Sequence, residues 1–103
     1  MNPSRHQLLD DALAISHRMA SAGETGDWDQ VISLEPERRS LLEKAFATHA
    51  PVDDVVAERV RAILDLDKGL MARSVEARDQ IAAELSQSNK VRKATNAYQA
   101  AGG

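Results

Sequence analysis

The chain has no cysteine, which removes disulfide frameworks, thiolate metal sites, thiol nucleophiles and iron–sulfur clusters. Aromatic residues are nearly as scarce, with Trp28, Phe46 and Tyr98 the three present. A β-sandwich or barrel, whose half-buried faces favour aromatic and β-branched side chains, fits that composition poorly. Five glycines and three prolines give little punctuation, and the strong helix formers Ala, Leu, Arg, Glu and Gln dominate. No stretch approaches the ~18 uncharged apolar residues that a membrane span requires. The opening Met1-Asn2-Pro3-Ser4-Arg5-His6-Gln7 runs straight into Leu8-Leu9-Asp10-Asp11, without the apolar core of a secretory signal. The expectation is an all-α cytoplasmic protein with no membrane partner.

With 103 residues, the chain has room for a single domain. Its 43% apolar and 28% charged content is that of a folded globular protein rather than a disordered one. The net charge of −3 is unevenly spread. All the acidic groups precede residue 88, and the remainder carries Lys90, Arg92 and Lys93 with no acid. The C-terminal segment is therefore electrostatically distinct from the body.

Apolar periodicity places three helices and a tail. In the first, over about residues 4–22, Leu8, Ala12, Ile15, Met19 and Ala22 form a stripe flanked by Leu9 and Leu13. Asn2 or Ser4 caps it, and Gly23 stops it. The second covers about residues 28–48. Asp27 opens it, with Gln30 three residues on in a capping-box spacing. One line along it holds Trp28, Ile32, Leu42 and Phe46, and beside this lie Val31, Leu34, Leu41 and Ala45. Glu35 and Arg39, four apart, can pair. Pro36 predicts a kink near residues 32–35 rather than a break, and His49-Ala50-Pro51 is a stop signal.

Asp53 or Asp54 caps a third helix over about residues 54–86, whose stripe is Val56, Val60, Ile63, Leu64, Leu70, Met71, Ile81 and Leu85. At ~1.5 Å per residue it overhangs its shorter neighbours. Ser86-Gln87-Ser88-Asn89 is the one polar, weakly helical run in this region. A break there starts a short fourth helix over about residues 90–100, straight continuation is the alternative, and Gly102 and Gly103 fray. Short loops make sequential helices antiparallel, so the predicted fold is an antiparallel bundle of three main helices with a short C-terminal fourth helix or helical extension.

Candidate chemistry is sparse. His6 and His17 sit ~16 Å apart along one helix, too far to share a metal, and His49 lies in a turn; all three read as solvated. Asp65, Asp67 and Glu76 have calcium-loop spacing at their ends, but Gly69 is one position early and the segment is helical. The pairs Asp10-Asp11, Asp27 with Asp29, and Asp53-Asp54 lie mostly at helix starts, where carboxylates complement the helix dipole. No phosphate cradle or activated nucleophile is present, so an enzyme, a metal or a cofactor is not expected. Lys90, Arg92 and Lys93 make too weak a basic footprint for direct nucleic-acid binding.

The motif Gly26-Asp27-Trp28-Asp29 follows the first helix. After it come Val31-Ile32-Ser33-Leu34-Glu35-Pro36-Glu37-Arg38-Arg39 and Leu41-Leu42. This series resembles the second helix of FliT-type flagellar export chaperones, with their Gly-acid-Trp opening, Leu-Glu-x-x-Arg stretch and Leu pair. Asp27, Trp28, Glu35, Arg39 and Leu42 are its structural motif. The run Ile63-Leu64-x-Leu66-Asp67-x-x-Leu70, the step Arg78-x-x-Ile81 and the ending Lys93-Ala94-x-Asn96-Ala97-Tyr98 are similar to the rest of that family.

The resemblance implies a small cytoplasmic helical chaperone that binds the filament-cap protein FliD and delivers it to the flagellar type III export machinery. Some members also bind the export ATPase complex or restrain the master regulator FlhDC. In the family a C-terminal helix can fold over the partner groove; here that helix is short, ending soon after Tyr98, and Pro36 is a second departure.

A long helix whose stripe exceeds what its neighbours cover offers the excess to a partner. The expected partner-binding residues are Val56, Val60, Ile63, Leu64, Leu70 and Met71, with Tyr98 in the tail. The competing reading is a non-flagellar adaptor that forms a homodimer through helix three, whose Val56, Ile63, Leu70 and Ala77 are spaced as one line of a coiled-coil seam.

Overall fold

The computed structural model describes residues 3–102 and is all-helical, with α1 (Arg5–Glu24), α2 (Trp28–Ala45) and α3 (Asp54–Gly102). The expected cap Asn2 and the fraying of Gly103 lie outside the described residues. By internal contacts the chain divides into two compact units, Met1–Arg73 and Ser74–Gly103.

In the first unit each helix start uses an acceptor that the sequence supplies. Ser4 Oγ accepts from the Gln7 N–H at 3.1 Å, the Asp27 carboxylate from the Gln30 N–H at 3.3 Å, and Asp53 Oδ1 from the Val56 N–H at 2.8 Å. Each satisfies an amide that the first helical turn leaves unpaired. The α1 terminus differs from expectation. Gly23 is a buried residue inside the helix, and the chain reverses at Gly26, whose φ of 76° is the left-handed backbone that glycine adopts without steric cost. Gly23 serves packing instead: a Cβ there would lie 2.6 Å from Leu70 Cδ1 and 3.6 Å from the Trp28 ring.

Pro36 sits inside an unbroken α2. That helix ends at Ala45, earlier than the expected residue 48. The Arg5 guanidinium donates to the carbonyls of Ala45 (2.8 Å), Thr48 (2.9 Å) and Ala50 (3.1 Å), and lies 5.7 Å from the centre of the Phe46 ring. A side chain from α1 thus gathers the carbonyls of this loop and ties it to the first helix.

Buried Leu8, Leu9, Ala45 and Val56 form the core cluster, with Leu41, Leu42 and Val60 packed against it. Ala12, Met19, Ala22, Leu34 and Ile63 extend the buried set. In α2 the inward line is Leu34, Arg38, Leu41 and Ala45. Ile32 falls on the opposite side and is 68% exposed, contrary to its expected place in the stripe. One buried polar residue, Ser16, donates to the Ala12 carbonyl at 2.9 Å and accepts from Arg38 Nη1 at 3.3 Å. Arg38 also reaches Asp67 at 2.6 Å, so this polar cluster ties all three helices together at mid-height.

A separate fourth helix over 90–100 is not what forms: residues 86–89 and everything after them through Gly102 belong to α3. Between residues 70 and 101 there is neither glycine nor proline. Ser and Asn cost only about half a kcal/mol each relative to Ala in a helix, which the flanking alanines, leucines and lysines offset. In the second unit, taken by itself, every residue from 78 to 101 is exposed.

Candidate functional site

The α3 face turned away from the core of the first unit carries the expected partner residues that remain accessible. Ala57, Val60, Arg61, Leu64, Lys68 and Met71 recur at three- and four-residue intervals, which places them on one side of a helix. Leu64 is 54% and Met71 66% exposed. The loop after α2 adds Phe46, 43% exposed, and Val52, 63% exposed. Together these side chains enclose an apolar groove of about 380 Å³, lined by Phe46, Val52, Val56, Ala57, Val60, Arg61 and Leu64. A second depression of about 480 Å³ shares Arg61 and Leu64 with it and continues past Asp65, Asp67 and Lys68 to Met71.

The residues expected to bind a partner therefore divide by depth. Val56 and Ile63 are buried, at 1% and 4% exposure; Val56 forms part of the groove floor. Val60 and Leu70 are half-buried, Val60 in the groove wall and Leu70 against the space over Gly23. Leu64 and Met71 are the exposed members. Tyr98, 80% exposed, belongs to the second unit.

The motif residues of α2 have structural work to do. Asp27 caps the helix, Trp28 packs beside Gly23 and Leu42 packs on the core cluster. Glu35 and Arg39 form an ion pair, and hydrogen bonding to Glu35 raises the pKa of the Arg39 guanidinium above its ordinary value.

The groove is held in place by polar contacts that sequence reasoning missed. Arg59, roughly 140° around α3 from Leu64, reaches Asp10 of α1 at 2.6 Å, a hydrogen bond that raises its pKa above the ordinary value. His6 is exposed, as expected, and pairs there with the exposed Asp53 at 2.9 Å. The Asp53 carboxyl is held below its usual range, first by the Val56 N–H and then by His6. A signal for the Arg38 and Arg59 contacts was present: Arg38 stands four residues from both Leu34 and Leu42, and Arg59 lies between Val56 and Ile63. A charged residue in line with an apolar stripe must find a partner where it is buried. Asp67, considered as a calcium-loop position, is the partner of Arg38.

This arrangement can hold an apolar segment but presents no nucleophile or acid–base pair to act on it. The family model described as flagellar protein FliT matches residues 6–100. This chain belongs to the FliT family. No curated protein and no solved structure gives a significant match. FliT is a chaperone family of flagellar biogenesis rather than a family of enzymes. No described helix of this FliT-family chain is long and apolar enough to cross a membrane.

Proposed function

We propose that this FliT-family chaperone acts in the cytoplasm, binds the filament-cap protein of the FliD type and escorts it to the flagellar type III export machinery. The observation that carries the reading is the apolar groove from Phe46 and Val52 through Leu64, continued by the second depression to Met71. A helix laid in such a groove buries side chains at i, i+3, i+4 and i+7. Of the expected partner residues, Leu64, Met71 and Val60 make direct contact in this reading. Val56, Ile63 and Leu70 support the surface from below, and Tyr98 adds a contact from the tail.

Three further elements belong to the same reading. The helices of the first unit pack antiparallel, which the pairing of Arg5 with Ala45, Ser16 with Arg38 and Gly23 with Trp28 supports. The family resemblance extends the partner set to the export ATPase complex and to the FlhDC regulator, acting on that protein rather than on DNA. A second reading is self-association through α3; of its expected seam, Val56 and Ile63 are buried in the first unit, so it draws instead on the exposed Ile81, Leu85, Val91 and Tyr98 of the second unit.

Calorimetric titration of the full chain with a C-terminal fragment of the cognate filament-cap protein tests the reading. Saturable one-to-one binding, weakened more than tenfold by Leu64→Asp, is the expected result. No heat and no saturation would overturn it. A concentration-dependent dimer lost on Leu85→Asp would favour self-association.

A further inference from the structure

We infer that the segment held in this groove is an amphipathic helix flanked by carboxylates two turns apart, set opposite Arg61 and Lys68; this rests on the docking reading above and specifies its partner chemistry. The protein as a whole is acidic, at −3, yet the charges left free at the border of its apolar groove are chiefly basic. Arg61 lines both depressions, and Lys68 lines the second. Among the described residues neither takes part in an ion pair; several other cations are likewise unpaired, but Arg61 and Lys68 are the ones that line the two depressions.

The acids nearby do not cancel this pair. Asp67 is committed to Arg38 at 2.6 Å. Asp65 is the remaining carboxylate of the rim. It stands four residues after Arg61 and three before Lys68, within helical reach of either, but it also borders the separate depression toward Ala20 and Glu24 of α1, and one carboxylate leaves two cations with a net positive charge. Two cations seven residues apart stand ~10 Å from each other along the helix, the rise of two turns. A partner helix lying along the groove presents carboxylates at that interval when they are spaced i and i+7, while its apolar residues meet Phe46, Val52, Leu64 and Met71.

The same charges argue against a second copy of this chain as the occupant. In a two-fold groove-to-groove pairing residue i meets j while j meets i, so with the axis midway between them Arg61 of one copy would face Lys68 of the other. Like charges facing each other across an interface suppress the pairing.

The experiment is a titration of the full chain with the C-terminal fragment of the filament-cap protein, at about 50 mM and about 300 mM salt, spanning the range in which rim charges become screened. The double variant Arg61→Glu/Lys68→Glu is expected to bind about tenfold more weakly at low salt, mostly through a slower association rate, with the difference shrinking at high salt. Exchanging the fragment's acidic flank for lysine should restore binding to the double variant and weaken it for the parent chain. Both cations are exposed, and unchanged circular dichroism checks that the variant is folded.

If Leu64→Asp abolishes binding while the double variant binds like the parent at both salt concentrations, the charge inference is overturned and the docking reading stands. If the parent chain does not bind the fragment, both are overturned.

Discussion

Arg38 and Arg39 are neighbours with unequal consequences. Arg39 is exposed and makes an i, i+4 pair with Glu35 on the surface of α2, the kind of contact that solvent and side-chain entropy reduce to very little. The Arg38 side chain is only 14% exposed and bridges Ser16 of α1 to Asp67 of α3. Removing it takes away the donor to Ser16, whose hydroxyl keeps its bond to the Ala12 carbonyl, and leaves the half-buried Asp67 carboxylate without its cation. Arg38→Ala should therefore cost about 2 kcal/mol in urea unfolding, whereas Arg39→Ala should be nearly silent. Equal effects would mean that the three-helix polar cluster does not form.

Asp53 yields a pH prediction of definite sign. Its carboxyl is held low by the Val56 N–H and by His6, so between its folded and unfolded pKa values the native state binds fewer protons than the unfolded one. The stabilisation is thus fully present above the ordinary carboxylate value of about 3.9 and is lost as pH falls through the lower folded value. Asp53→Asn keeps a good helix cap but removes the titration. Its stability deficit against the parent, measured at pH 6, should close on acidification.

At the scale of the element, helix type and approximate position were legible because each inward face repeats at three and four residues. The stripe of α1 illustrates this, since Leu8, Ala12, Met19 and Ala22 are all buried. What misleads is punctuation. Gly23 reads as a stop and is instead a packing gap beneath Leu70, a role set by another helix and invisible in the local sequence. The run 86–89 reads as a break because Ser and Asn are weak helix formers, but weak propensity alone does not end a helix that lacks Gly and Pro.

Two other glycines separate these roles experimentally. Gly69 lies within α3, and a Cβ added there would meet nothing within 4 Å, so Gly69→Ala should raise stability by about 0.8 to 1 kcal/mol through helix propensity alone. Gly26, at φ 76°, should respond oppositely, with Gly26→Ala lowering stability by about 1 kcal/mol. Thermal melts of the two variants moving in the same direction would contradict the assigned turn.

For the whole molecule, the division after Arg73 separates a unit with a core from a unit without one. The buried hydrophobic residues all lie between Leu8 and Ile63, and every side chain from 78 to 101 is exposed. The charge change in the sequence falls later, after Glu84, and leaves Glu76, Asp79 and Glu84 in the second unit; only the thinning of the strong apolar stripe after Met71 coincides with this boundary. The sequence could not show which members of the α3 stripe face inward. Leu64 and Ile63 are adjacent and chemically alike, and only the position of α1 and α2 puts one in the core and the other in the groove.

Folding stability should accordingly reside in the first unit, since an isolated helix gains little in water without tertiary packing. Deleting residues 88–103 should leave the urea midpoint of the remaining chain nearly unchanged, while the helical signal per molecule falls by the residues removed. If that segment also contacts the partner through Tyr98, affinity for the filament-cap fragment drops in the same truncation with the fold intact. A collapsed midpoint would instead place part of the stabilising core beyond residue 87, against the burial pattern that locates it between Leu8 and Ile63.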